Sequence, residues 1–193
     1  MIDTYYNSMT PSVFNKVKET VLSGDTPWYA LSTDYFNFKN VSDYSHSWAH
    51  LAYSDNGAVS PLGDLLHMSI LSAFDNVGIK TSNIFRIRLG LHGISPQNYV
   101  GGAHVDFNLP HKVALFYLNN SDGDTFIFNQ KYDPASNADT YLYFQEKHNG
   151  VGSILARVTP EENKMICFDG MHYHSSSCPT TVAKRIVINV NYT

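Results

Sequence analysis

His104 and Asp106 stand two residues apart in GGAHVDF, and His172 and His174 stand two apart in FDGMHYHSSS. Imidazole and carboxylate are metal ligands, and their spacing decides whether they can share one ion. In a strand alternate side chains share a face, so His104 and Asp106 point the same way and Val105 points opposite. Their Cα atoms then lie roughly 6.5 Å apart, close enough for both donors to converge on one ion. A third donor must come from elsewhere, and His172 and His174, just after the apolar run KMICF, are the candidates. Two histidines and one carboxylate with open positions form the facial triad of non-haem Fe(II). The competing reading is a strand histidine beside a surface aspartate, and nine histidines make chance spacings easy.

Two further residues fit a site rather than a surface. Arg185, eleven positions after His174, opens RIVINVNY. On that strand Arg185, Val187, Asn189 and Asn191 share one face, and Ile186, Ile188, Val190 and Tyr192 the other. A polar face headed by arginine suits a cavity wall, and a guanidinium binds carboxylate as a bidentate fork. The hydroxyl of Tyr117, in FYLNN, is placed to join the same carboxylate.

These residues need a β framework, and the sequence supplies one from about Ile84 onward. FRIRLGL alternates, with Phe85, Ile87, Leu89 and Leu91 on one face and Arg86 and Arg88 on the other, by default a solvated face and otherwise a contact for an acidic substrate. Further strands are expected at 102–107, 112–118, 125–128, 153–158, 164–168 and 185–192. Asp122-Gly123 is a hairpin signal, and 132–152 reads as a long, less regular excursion. Before residue 84, Thr10-Pro11 predicts a helix start, with Val13, Phe14, Val17 and Val21 at helical spacing and Gly24 as a stop. A second helix is expected over 61–76, and the polar, aromatic stretch from Tyr35 to His50 has no clear period. Helices first and many short strands afterwards predict one mainly β domain over 1–193. It would be a double-stranded β-helix or jelly roll over 84–193, with 1–83 as a helical and irregular buttress.

Composition limits the alternatives. Hydrophobic residues make up 43 % and charged residues 16 %, so a sizeable core is available and global disorder is excluded. Thirteen tyrosines and eleven phenylalanines favour pleated surfaces. A net charge of −4 offers no basic footprint for nucleic acid. Two cysteines make no disulfide framework; Cys167 reads as buried and Cys178 as a loop residue open to exposure. With no signal peptide or membrane-length apolar run, the expectation is a soluble cytoplasmic protein, in the host cytoplasm if phage-encoded.

HVDF, FYLNNSDGDTFIF, FDGMHYHSSSCP and KRIVINVNY together resemble the Fe(II)- and 2-oxoglutarate-dependent dioxygenases, in their prolyl-hydroxylase-like branch. The wording is most similar to small members from bacteriophages and marine microbes, over roughly Ile84 to the C-terminus. The resemblance implies His104, Asp106 and His174 as Fe(II) ligands, His174 standing six after Phe168 as in the family pattern, with His172 a neighbour. It implies Arg185 as the grip on the far carboxylate of 2-oxoglutarate and Tyr117 as its support. The implied reaction consumes 2-oxoglutarate and O2, gives succinate and CO2, and hydroxylates a small molecule or a prolyl or other residue of a peptide. Asp124 stands where the family has glutamate, and Tyr99 is only near the tyrosine that often precedes the HxD pair.

Two other classes compete. A non-catalytic jelly-roll binding module need not keep Arg185 and Tyr117 beside the three donors. A zinc enzyme with an open position needs a general base, and none stands out. His111 reads as a turn or strand-edge residue, His46, His50, His67 and His148 as ordinary, and Trp28 and Trp48 as core or rim packing. The roughly 68 residues between Asp106 and His174 make loop closure cost about 4 kcal/mol. Strand pairing, rather than a metal, must therefore assemble the site.

Overall fold

A computed structural model describes residues 1–31, 47–95, 100–135, 141–142 and 153–193, the 141–142 pair by backbone alone. In chain order the elements are β1 (Asp3–Tyr6), α1 (Pro11–Leu22), β2 (Tyr29–Ala30), β3 (Ser47–Ser54), β4 (Gly57–Ala58), α2 (Gly63–Val77) and β5 (Ile84–Gly93). There follow β6 (Ala103–His104), β7 (Lys112–Tyr117), β8 (Thr125–Lys131) and β9 (Tyr141–Leu142). The last are β10 (Ile154–Val158), β11 (Lys164–Asp169), β12 (His172–Ser176) and β13 (Lys184–Tyr192). One sheet runs β1-β11-β7-β13-β5-β3-β2 with β4 on β3, and a smaller one runs β10-β8-β12-β6-β9. From β5 to β8 and from β10 to β13 the chain keeps crossing between the two antiparallel sheets, which is the winding of a double-stranded β-helix.

The period-two patterns explain how the layers stack. Ile186, Ile188, Val190 and Tyr192 of β13 join Ala114 and Phe116 of β7 and Met165 and Cys167 of β11 in the larger apolar cluster. That cluster lies on the outer face of the large sheet, where α1 contributes Phe14, Val17 and Val21 and α2 contributes Leu66, Ile70 and Phe74. The inner face carries Val113, Leu115, Tyr117, Ile166, Phe168 and Val187, which meet Ile127 of the opposite sheet. Gly78 closes α2 in the left-handed conformation at φ 76°, where a glycine costs no strain. The start of α1 has Pro11 in its first turn, but the Thr10 side chain makes no capping hydrogen bond.

Several expectations change. The segment before residue 84 is more than a helical and irregular buttress, because β1, β2, β3 and β4 all join the large sheet. The strand expected over 102–107 shrinks to the two residues of β6, with Asp106 at a bend beyond it. Asp122-Gly123 makes no hairpin: β7 and β8 belong to different sheets, so the turn-rich residues serve a crossover. The hairpin lies instead at Ser54–Gly57, with Gly57 at φ 98°. In β5 a register shift near Ile84 turns Ile84, rather than Phe85, toward the outer core. Phe85 packs edge-on against Phe107 instead. The stretch 32–46, with His46, and the bulk of the excursion, with His148, lie outside the described residues. Among the described residues no helix is long and apolar enough to cross a membrane.

Ile188 is fully buried where β13 faces the helices, whereas Met68 on α2 is 65 % exposed. Ile188→Ala should lower unfolding free energy by about 2–5 kcal/mol, and Met68→Ala by no more than about 0.5 kcal/mol. Denaturant unfolding of both variants measures the contrast, and equal effects would contradict this placement of the core.

Candidate metal centre and the cavity around it

Strand β12 lies on β6 with His174 directly opposite His104, and the two rings come to 4.7 Å between centroids. Asp106 follows at the bend beyond β6. One donor atom from each of His104, Asp106 and His174 falls within 4.8 Å of the others. The Nε2 of His104 lies 3.9 Å from Oδ1 of Asp106, and the Nε2 of His174 lies 3.7 Å from Oδ2. His172 does not join them: its Nδ1 meets the Phe128 carbonyl at 2.7 Å, and a register shift against β8 falls between it and His174.

The backbone sets which nitrogen faces the site. Nδ1 of His104 is 3.1 Å from the Gly102 carbonyl, and Nδ1 of His174 is 3.1 Å from the His172 carbonyl. A carbonyl only accepts, so each Nδ1 carries the hydrogen and each neutral ring offers its Nε2 lone pair. The Nε2 of His174 is buried with no hydrogen-bond partner, an orphan that a metal would satisfy.

Electrostatics give the three groups the protonation states that metal binding needs. Burial pulls the His174 pKa down to about 4, helped by His104 and opposed by Asp106. Burial also lowers His104, against Asp106 and with Arg88 and Arg86 adding to the effect. Burial alone raises Asp106, yet Arg86 first, then His174, His104 and the Asn191 amide, hold it well below the usual carboxylate range. The donor set is therefore two neutral imidazoles and one carboxylate, which fits a divalent transition metal.

A cavity of about 280 Å³ opens beside these donors between the two sheets. Arg185 lines it, is 2 % exposed, and donates from Nη2 to the Thr125 hydroxyl at 2.7 Å. Among the described residues no carboxylate forms an ion pair with Arg185, and its Nε has no partner. Burial works against this cation, with Tyr117, Cys178 and Asp124 favouring it. A buried unneutralised guanidinium is costly unless an anion joins it. Gly123 makes the placement possible, since a Cβ there would lie 2.6 Å from the Ser177 carbonyl oxygen and 3.1 Å from Cδ of Arg185. Tyr117 sits just behind the cavity wall. It is fully buried, its hydroxyl donates to Thr125 at 2.9 Å, and burial pushes its pKa up to about 12.

Sequence reasoning passed over His92 and took a solvated face as the default for Arg86 and Arg88. Arg86 and Arg88 line the cavity rather than a solvated face, and Arg86 ion-pairs with Asp106 at 2.6 Å. Their alternation in β5 fits either face, and it is the pairing with β13 that sets Arg86 and Arg88 directly opposite Asn191 and Asn189 of its polar face. His92, opposite Arg185, bonds Ser47 at 2.8 Å and Ser176 at 3.2 Å. His111 is buried with its ring against Gly170 and does not line the cavity. Cys178 is buried rather than exposed, because bridging at Ser177 and the Ser177–Asp124 backbone bond pin its segment down. Tyr99 lies outside the described residues.

No protein-family model and no curated relative matches the chain in sequence. Solved structures do match in shape. The epimerase SnoN, in complex with Fe3+, alpha ketoglutarate and nogalamycin RO, aligns with a TM-score of 0.65 at 11 % identity, covering 100 % of this chain and 78 % of that one. A prolyl hydroxylase from Trichoplax adhaerens, bound to a hypoxia inducible factor peptide fragment, gives 0.59 at 12 %, over 99 % and 82 %. A Pseudomonas putida prolyl-4-hydroxylase gives 0.57 at 10 %, over 99 % and 91 %. The fold is therefore the jelly roll of the 2-oxoglutarate- and Fe(II)-dependent oxygenases.

A histidine whose folded pKa lies below its unfolded value near 6.5 takes its proton first in the unfolded chain. Stability of the metal-free protein is thus lost as pH falls from about 6.5 toward the His174 value of about 4. Thermal unfolding across this window should show Tm falling, with a shallower fall in His174→Gln. An equal slope in the variant would show that His174 is not buried as a neutral ring.

Proposed function

We propose that this chain is an Fe(II)- and 2-oxoglutarate-dependent oxygenase. One observation carries the reading: three metal donors meet in a cavity that also holds the buried, unneutralised guanidinium of Arg185. His104, Asp106 and His174 would hold the iron, and Arg185, with Thr125 and Tyr117 behind it, would receive the far carboxylate of 2-oxoglutarate. Bound ferrous iron supplies the activation of O2, coupled to conversion of 2-oxoglutarate to succinate and CO2.

The residues of the chain do the rest by position. The Gly102 and His172 carbonyls aim the two Nε2 lone pairs, so the imidazoles need no reorientation when metal arrives. Arg185 and Thr125 fix one end of the co-substrate, which sets where its keto acid end lies relative to the three donors. Leu115 and Val187 line the cavity between its polar groups and give it apolar wall. The substrate is a peptide residue or a small molecule. The likeness to the peptide-bound Trichoplax adhaerens hydroxylase supports the first, and the likeness to SnoN with nogalamycin RO the second.

Anaerobic addition of Fe(II) and 2-oxoglutarate should produce the weak visible charge-transfer band of the chelate. His174→Ala should abolish the band and His172→Ala should retain it. Arg185→Met should keep metal binding but weaken 2-oxoglutarate by about 30-fold or more, as loss of a charged hydrogen-bonded pair costs roughly 2 kcal/mol or more. Absence of the band in the wild type would favour a binding module.

A further inference from the structure

The two oxygens of Asp106 meet different surroundings. Oδ2 accepts hydrogen bonds from the side-chain amides of Asn189 at 3.0 Å and Asn191 at 2.9 Å. Oδ1 is instead ion-paired with Nη2 of Arg86 at 2.6 Å. An ionised carboxylate offers about four lone-pair sites, two on each oxygen. Those of Oδ2 are taken by two amides, while Oδ1 meets one guanidinium nitrogen and keeps a lone pair.

The amide orientations are fixed by chemistry. Arg86 donates from Nε to Oδ1 of Asn191 at 2.7 Å. Arginine has no acceptor, so Asn191 must turn its oxygen to Arg86 and its NH2 to Asp106. Arg86 is itself held with its guanidinium carbon 4.6 Å from the Phe107 ring centroid. Register completes the arrangement, with Asn191 opposite Arg86 across β13 and β5.

We propose that Arg86, Asn189 and Asn191 are positioning residues that commit Asp106 to ligating metal through Oδ1 alone. The inference rests on the metal reading above and goes beyond it. In an octahedral site, two imidazoles and a carboxylate bound through both oxygens leave two positions, enough for a chelating keto acid and none for oxygen. Binding through one oxygen leaves three. The clamp keeps that third position by occupying the oxygen that would fill it. Arg86 also places a cation beside the metal, so the site holds metal less tightly than its three donors alone would.

The test uses the whole chain loaded with Mn(II) alone, with water ligands counted by EPR line broadening in 17O-enriched water. The wild type should show three waters. Asn189→Ala, which frees one lone pair of Oδ2 at a half-buried wall position, should show two, and so should the Asn189→Ala/Asn191→Ala double variant if thermal unfolding shows it folded. Arg86→Gln should bind Mn(II) about tenfold or more tightly, since a neighbouring like charge is removed. Three waters in Asn189→Ala would overturn the clamp while leaving the metal site standing. Unchanged or weaker binding in Arg86→Gln would overturn the role given to Arg86. A wild type that binds no Mn(II) would overturn the metal reading and the clamp together.

Discussion

A carboxylate shut away from water is the constraint around which the interior is organised. The Asp106 side chain is 2 % exposed, and an ion so placed costs several kcal/mol unless charge and hydrogen bonds replace the water it lost. Its replacements come from two neighbouring strands: Arg86 from β5, and Asn189 and Asn191 from β13. That requirement accounts for the polar inner face of β13, whose outer face is Ile, Ile, Val and Tyr. It also explains why an arginine in an alternating strand points inward. With those three in place the carboxylate stays ionised without a proton or a metal, so the donors are already arranged before any ion binds.

The half-buried guanidinium of Arg86 and the buried one of Arg185 are alike in residue type and unlike in circumstance. Arg86 has an anion supplied by the chain, whereas Arg185, among the described residues, has only hydroxyl partners. A fold gains nothing in stability from a buried cation without a counter-charge, because its desolvation is not returned. The arrangement makes sense if the missing anion is brought from outside, at a fixed place relative to the three donors. Asp124 favours the Arg185 cation but forms no ion pair with it, and its Oδ2 is engaged by Arg157 from the edge strand β10.

The sequence disclosed chemistry where residue type and spacing coincide and misled where composition alone was the guide. The HxD pair, His174 and Arg185 stand in a recognisable order, and β13 displays its two faces plainly. The facing of Arg86 and Arg88 was not legible from β5 by itself, since alternating arginines fit a wet surface as well as a cavity. Only the pairing of β5 with β13 sets those arginines opposite asparagines. The irregularity at Ile84 escaped because a one-residue shift leaves no mark in hydrophobic period. Asp122-Gly123 misled because turn chemistry reports a change of direction, not whether the next strand joins the same sheet. Asp106 shows the reverse case: β6 is too short for strand alternation to align it with His104, and the bend brings the two donors together all the same.

A hollow interior has to be compensated by apolar burial somewhere else. Between the sheets, Val113, Leu115, Ile166 and Phe168 fill one end, while the end near β5 and β6 is left to charged and polar groups around a cavity. The larger apolar cluster lies on the opposite face of the large sheet, built with α1 and α2. The helices thus have a role that the site itself never reveals. They move the main hydrophobic contact outside the barrel, so that the inner faces of β5 and β13 are free to carry arginine and asparagine. The site and the helices thus lie on opposite faces of one sheet, which β5 and β13 share between them.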